Sequence, residues 1–354
     1  MQDLDMYKIA EILLHEHGAR MTRKHKSEFR EFIADLSKSL GYDSKVENCF
    51  LAKNVVVGNP SEADIVLTAH YDTAPNMPYK AIMKQVVGLG IGTLALTGIG
   101  MLFTEHAINN CGPEAIDRMM DISMMISSIP MLSLLGYSGM SAYIMGFAGG
   151  ENQCNYDDNT SGVLTLISLM DYYKNLLPEE KKKIAFVFFD NEEKGLVGSL
   201  CYRARHSFDG KDGKCKRVKD QNFINFDCVG VGKRINLCYT GREVKPLAQN
   251  IAESFDLKKR DGYSLNFYKT DVNAWSDHVP FIGAKGNVMI LCDDENDKLR
   301  NHIHSKKDAK LVLDNIGMIS NIATDTINNI LGINESQIGN DRNALDVTGT
   351  LISE

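Results

Sequence analysis

Apolar residues recur every three or four positions over residues 3–17 and 26–40, the second run opening near Ser27 with Glu and Phe in its first turn. Both runs predict amphipathic helices. The period then shortens: CFLAKNVVV (49–57) and DIVLTAH (64–70) predict strands on either side of a turn at GNPSEA. From residue 158 onward the two signals alternate, with a helix after Ser161, the apolar run IAFVFF at 184–189, a helix after Gly195, strands near 223–227 and 287–292, and a last helix near 308–331. Near-continuous apolar strands separated by helices predict an α/β fold, with a mixed, largely parallel sheet covered by helices on both faces. The polar stretch 332–354 predicts an irregular, loosely attached tail.

Residues 75–150 break this rhythm. Residues 85–104 and 122–150 carry no charged side chain, and ten of the sixteen methionines fall between 77 and 145. Runs of this length and polarity can form membrane-spanning helices. The pattern is read as a helical hairpin inserted in the α/β chain, spanning or entering a membrane. Lys80 and Lys84 precede the first run, while the connector carries Glu105, Glu114, Asp117 and Asp121 against Arg118, as expected if the connector lies outside and the rest inside. Gly88 and Gly92 stand in small-xxx-small spacing. Pro130 and the many Gly and Ser residues favour the alternative, a helical pair that lids the site or forms a subunit interface. The predicted organisation is therefore 1–74 plus 150–331 as one discontinuous domain, 75–149 as the insertion and 332–354 as the tail.

Composition narrows the picture modestly. With 354 residues and 44% hydrophobic content the chain can bury a full α/β core. The net charge of -7 argues against a nucleic-acid partner. Eight dispersed cysteines without a CxxC pair suggest reduced thiols, and the acidic start MQDLD, with no apolar core behind it, does not read as a secretory signal. The expected location is cytoplasmic, with anchoring at the cytoplasmic face of the membrane if the hairpin inserts.

Candidate chemistry collects at the ends of the predicted strands, where open α/β sheets place their sites. His70-Tyr71-Asp72 follows DIVLTA, and an aspartate two residues beyond an imidazole can orient the ring. Taken alone, His70 could equally make an ordinary strand-end hydrogen bond. Asp157-Asp158 in DDNTSG precede a helix, where acids are commonly N-caps. Glu192-Glu193 in DNEEKG follow IAFVFF; adjacent carboxylates there repel, and a divalent cation would neutralise them. Asp227 closes NFINFD, and His304 lies in HIHSKKD. Imidazoles and carboxylates together suit zinc, with cobalt or manganese as substitutes. His15, His17, His25, His106 and His206 lie outside these elements and read as ordinary surface or helix residues.

The ordered elements HYD, DDNTSG, DNEEKGLVGS, NFDCVG, SDHVPF and HSKKD resemble the M28 family of zinc aminopeptidases over roughly residues 40–74 and 150–331. The resemblance implies a phosphorylase/hydrolase-like fold and a pair of zinc ions. His70 and Asp227 would bind one ion, Glu193 and His304 the other, and Asp158 would bridge them. Glu192 would be the general base, and Asp72, holding the ring of His70, counts with it as a catalytic residue. A cis peptide after Asp158 is also implied. Lys306 stands where the family often has Pro, which leaves His302 as a competitor to His304; the spacing to Asp308 favours His304. Ser276, Asp277 and His278 fall in the site wall, being too close in sequence to form a nucleophilic triad. The implied activity is removal of N-terminal residues from peptides. A carboxypeptidase, a glutaminyl cyclase and a non-catalytic membrane scaffold are the alternatives.

Overall fold

The computed structural model describes residues 3–49, 51–76, 151–207, 216–258, 262–271, 274–294, 302–338 and 349–352. Two compact units partition the chain, Met1–Ala74 with Glu151–Glu354, and Pro75–Gly150. The expected hairpin at 85–104 and 122–150 lies outside the described residues. Among the described residues no helix is long and apolar enough to cross a membrane.

The first unit is built on eight strands: β1 (Ser44–Cys49), β2 (Ala52–Val57), β3 (Ile65–His70), β4 (Ile184–Phe189), β5 (Asn222–Phe226), β6 (Arg234–Tyr239), β7 (Ser264–Lys269) and β8 (Gly286–Asp293). Their order is β1-β2-β4-β3-β5-β8-β6-β7. Strands β4, β3, β5 and β8 run parallel, as do β6 and β7, whereas β1/β2, β2/β4 and β8/β6 are antiparallel. The sheet is thus mixed, with a parallel centre.

Alternation along the central strands sorts the core onto two faces. Ile65, Leu67, Ala69, Phe186, Phe188, Ile224 and Phe226 point to one face, where they meet apolar residues of α1 (Met6–His15), α2 (Arg23–Ser39), α3 (Gly162–Tyr173), α5 (Pro246–Lys258) and α6 (Leu313–Leu331). Val66, Ala185, Val187, Phe189 and Phe223 point to the other, against Tyr202 of α4 (Val197–Ser207) and Phe281. Every residue of α3 is buried, which is why GVLTLISLM is apolar on all sides and lacks amphipathic spacing.

Several boundaries differ from the sequence expectation for identifiable reasons. Helix α2 starts at Arg23 because the Thr22 hydroxyl accepts from His25 N (3.2 Å), a cap placed ahead of a basic first turn with no apolar signal. Strand β1 is largely polar and exposed on the sheet edge, so SKVENC carries no alternation; of the strand expected at 49–57, residues 52–57 form β2, while Cys49 closes β1. The last helix begins at Leu313, after a short strand β9 (Lys310–Val312). The tail is not loose throughout: β10 (Thr350–Ile352) pairs antiparallel with β9. The cysteines are not all reduced thiols either. Cys49 at the end of β1 is disulfide-bonded to Cys201 in α4, a pairing that a sequence separation of 152 conceals.

Candidate active site

The predicted acids and histidines arrive from different elements at the carboxyl ends of β3, β4 and β5. His70 is the last residue of β3, Asp227 follows β5, and Glu192 and Glu193 lie between β4 and α4. Asp158 sits in an irregular turn over Tyr156–Ser161 that feeds α3, and its peptide bond to Asn159 is cis. That turn is pinned at several points. The Asp308 carboxylate accepts from the backbone N of Asp157 (2.7 Å) and of Asp158 (3.0 Å). Asn159 Nδ2 donates to Phe226 O at the end of β5 (2.9 Å), and Asn159 Oδ1 accepts from Gly162 N (2.9 Å). A Cβ at Gly162 would collide with the Asn159 amide and the Phe226 carbonyl, so a glycine is required where α3 begins.

Asp158 is the centre of the arrangement. Its Oδ1 lies 3.2 Å from His70 Nε2 and its Oδ2 lies 2.9 Å from His304 Nε2, so each oxygen faces one imidazole. Asp227 Oδ1 is 3.8 Å from His70 Nε2, and Glu193 Oε1 is 3.3 Å from His304 Nε2. Ligand atoms of His70, Asp158 and Glu193 all fall within 4.8 Å of one another, and so do those of Asp158, Asp227 and Cys228. Cys228, absent from the predicted set, directs its thiol to Asp227 Oδ1 (3.1 Å) from a backbone at positive φ.

The competing histidines separate. His304 reaches Asp158 and Glu193, whereas His302 Nε2 lies 3.0 Å from Asp157 Oδ2. Asp157 is also held by Gly230 N (2.8 Å), so of the two adjacent aspartates one ties loops together and the other faces the site. The role expected of Asp72 changes in detail. His70 Nδ1 faces the backbone carbonyl of Asp72 at 3.1 Å, with the carboxylate farther off at 3.7 Å. Asp72 Oδ1 instead accepts from Glu192 N at 2.9 Å, which anchors the backbone of the candidate base. Ser276 accepts from Asn225 Nδ2 (3.2 Å) and His278 Nε2 pairs with Thr270 Oγ1 (2.7 Å), so Ser276, Asp277 and His278 form no triad.

Electrostatics show what the pocket lacks. Burial raises Glu192 well above the usual carboxylate range, and the nearby charges of Glu193, Asp277 and Asp227 add to it against the pull of His70. Burial likewise raises Glu193, and lifts Asp277 to about 7 against the pull of His70 and of the Ser199 side chain. Burial by itself would lower His70 and His304, yet the surrounding acids hold both well above the ordinary histidine value. Without a cation, protons on these imidazoles are the counter-charge for Asp158, Glu193 and Asp227. A divalent metal fits where those protons stand, because nitrogen and oxygen donors converge and the carboxylate charge exceeds what the chain neutralises. His70, Asp227, Asp158, Glu193 and His304 are the residues that would hold it.

Comparison with known proteins agrees with this architecture. The model of peptidase family M28 matches residues 150–325 of this chain. The LapA aminopeptidase of Legionella pneumophila superposes with a TM-score of 0.58 at 12% identity, over 92% of this chain and 71% of that one. LapB of the same organism gives 0.54 at 16% identity, over 93% and 72%. A glutaminyl cyclase of Fimbriiglobus ruber gives 0.55 at 12% identity, over 96% and 98%. At these identities the likeness is one of fold. No curated protein matches the sequence significantly.

Proposed function

We propose that the chain is a two-zinc exopeptidase that removes N-terminal residues from peptides. The observation that carries this reading is the position of Asp158, with one carboxylate oxygen turned to His70 and the other to His304. A carboxylate so placed can bridge two ions, with His70 and Asp227 completing one and His304 and Glu193 the other. Zinc bound there would supply Lewis acidity and a water acidic enough to lose a proton near neutral pH.

The remaining chemistry belongs to the chain. Glu192, half-buried beside these acids and anchored through its backbone N to Asp72, takes a proton from the attacking water and returns it to the leaving amine. Its raised proton affinity suits a group that must accept at near-neutral pH. The fold is shared with a glutaminyl cyclase as well as with an aminopeptidase, so it does not choose between them. His70 and Asp227 favour two ions, and hence peptide hydrolysis. The deciding experiment combines a zinc count on the full chain with assays on aminoacyl chromogenic substrates and on an N-terminal glutaminyl peptide. Close to two zinc ions with chelator-sensitive release of the aminoacyl group is expected. One zinc ion with ring closure of the glutaminyl peptide would move the assignment to a cyclase.

A further inference from the structure

The segment between α1 and α2 reaches the back of the site, and nothing in its sequence announces this. Arg20 is fully buried, and each of its guanidinium nitrogens is used: Nε donates to Tyr71 O, Nη1 to His17 O (2.7 Å) and Nη2 to Thr160 Oγ1 (2.9 Å). Its backbone N donates to Thr73 Oγ1 (2.9 Å). One residue therefore joins the segment after His70 to the segment after Asp158, between which the chain departs at Ala74 and returns at Glu151. Gly18 works beside it: its carbonyl accepts from Asn155 Nδ2 (3.0 Å), and a Cβ there would meet Leu14 O and the Gln153 side chain.

Lys26, in the first turns of α2, makes a second connection. Its ammonium is buried and donates to Asp190 Oδ1 (2.5 Å) and Asn191 Oδ1 (2.6 Å), with Asp72 Oδ2 at 3.9 Å. Asp72 in turn receives Glu192 N, and Asp190 receives Lys53 N (2.9 Å). Asn191, at positive φ, places the two glutamates that follow it. A buried ammonium is tolerated only with its acids, and removing it leaves those acids uncompensated. A fork of guanidinium donors and a point-charge ammonium are suited to these two tasks and are not interchangeable.

We propose that residues 17–26 clamp the site from behind, with Arg20 and Lys26 as positioning residues: Arg20 sets the meeting of His70 with Asp158, and Lys26 sets the placement of Glu192. The inference rests on reading the site as a metal-dependent peptidase. Loss of the Arg20 connection weakens metal binding, and loss of the Lys26 connection slows turnover at unchanged metal content.

The test uses the full chain with Arg20→Lys, Arg20→Met, Lys26→Arg and Lys26→Met. Zinc affinity is read by competition with a chromogenic chelator, kcat and KM on an aminoacyl chromogenic substrate, and amide exchange at residues 70–73, 156–161 and 190–193. Both Arg20 variants should lose roughly 10- to 100-fold in zinc affinity, as changes behind metal ligands do, and recover kcat in excess zinc. Arg20→Lys should not rescue, since an ammonium cannot serve three divergent acceptors. Lys26→Met should keep its zinc affinity and KM while kcat falls roughly 10- to 100-fold, with Lys26→Arg partly restoring it. Exchange should quicken at 70–73 and 156–161 for Arg20 and at 190–193 for Lys26. If Arg20→Met does not fold, Thr160→Val and Thr73→Val each remove one acceptor and should show the same effect at smaller size. Wild-type zinc affinity in the Arg20 or threonine variants, or an identical pattern of loss at both positions, would overturn the clamp. A wild-type chain that binds no zinc would defeat the assignment of function instead, and the exchange pattern would still decide the clamp.

Discussion

Glu47 on the sheet edge and Glu192 at the strand ends are the same chemical group under opposite pressures. Burial would raise Glu47, but hydrogen bonds and charge from His206 and Lys45 overcome it and hold the carboxyl down at about 2. Glu192 is pushed the other way, because burial is joined by like charges and relieved only by His70. Arg234, with its two bonds to Asp293 (2.7 and 2.6 Å), and Lys174, with Asp171 (2.8 Å), belong with Glu47. Where the chain supplies its own counter-charge, the acid serves the fold. Where it supplies only imidazoles, the proposed divalent cation would complete the set, and that difference separates the site from the rest of the described residues.

The sharpest way to break this contrast is to neutralise one acid of the site at a time. Glu192→Gln is expected to lower kcat by roughly 10²- to 10⁴-fold with zinc content nearly intact. Glu193→Gln should lose zinc as well, and equal zinc loss in the two variants would erase the distinction between base and ligand. Removing the metal by chelation should come next in size. Zinc at a thousandfold excess over its Kd stabilises the fold by about 4 kcal/mol per site, which a thermal melt with and without chelator measures. Because zinc displaces protons that His70 and His304 hold well above the ordinary range, its affinity should rise with pH from 6 to 8. A pH-independent affinity would mean that the imidazoles are not ligands.

Asp277 offers a test within the metal-free protein. Its folded value near 7 lies above the ordinary 3.8, so the folded form keeps a proton that the unfolded chain gives up, and stability falls as pH rises from about 4 to about 7. Asp277→Asn should therefore be more stable than wild type at pH 8, by on the order of 2–4 kcal/mol, and equal to it near pH 4. Denaturant titrations at the two pH values decide this. Glu47 has the opposite sign and the smallest effect. Its depressed value contributes stability that is present above about 4.5 and lost as pH falls through about 2. Glu47→Gln should cost about 1 kcal/mol at pH 7, given that Lys45 and Arg205 are half-exposed, and nothing at pH 2. A larger loss at pH 2 than at pH 7 would reverse the comparison.

The expectation of free thiols failed at the same edge, where Cys49–Cys201 joins β1 to α4 beside the Glu47 cluster. Each cysteine is unremarkable in sequence; only the packing of α4 on β1 brings them together. The strand pattern failed there too, since an exposed edge strand such as SKVENC has no buried side to produce alternation.

What the sequence determined by itself were the features that depend on neighbours in the chain. IAFVFF had to be a buried strand because no face of it can meet water, and α3 had to be interior for the same reason. HYD, DNEEKG and NFDCVG had to stand at strand ends because polar groups follow directly on apolar runs. The tertiary structure alone decided which acids face one another. It turned Asp158 toward the imidazoles and Asp157 toward His302 and Gly230, and set the Asp72 carboxylate on Glu192 N at 2.9 Å with the His70 ring at 3.7 Å. It also brought Arg20, from the segment between α1 and α2, and Lys26, from α2, behind the site, although both look ordinary in sequence. The reason is physical. Burial and periodicity are local properties written in residue type and spacing, whereas the direction of a side chain and the charge it meets are set by segments distant in the chain.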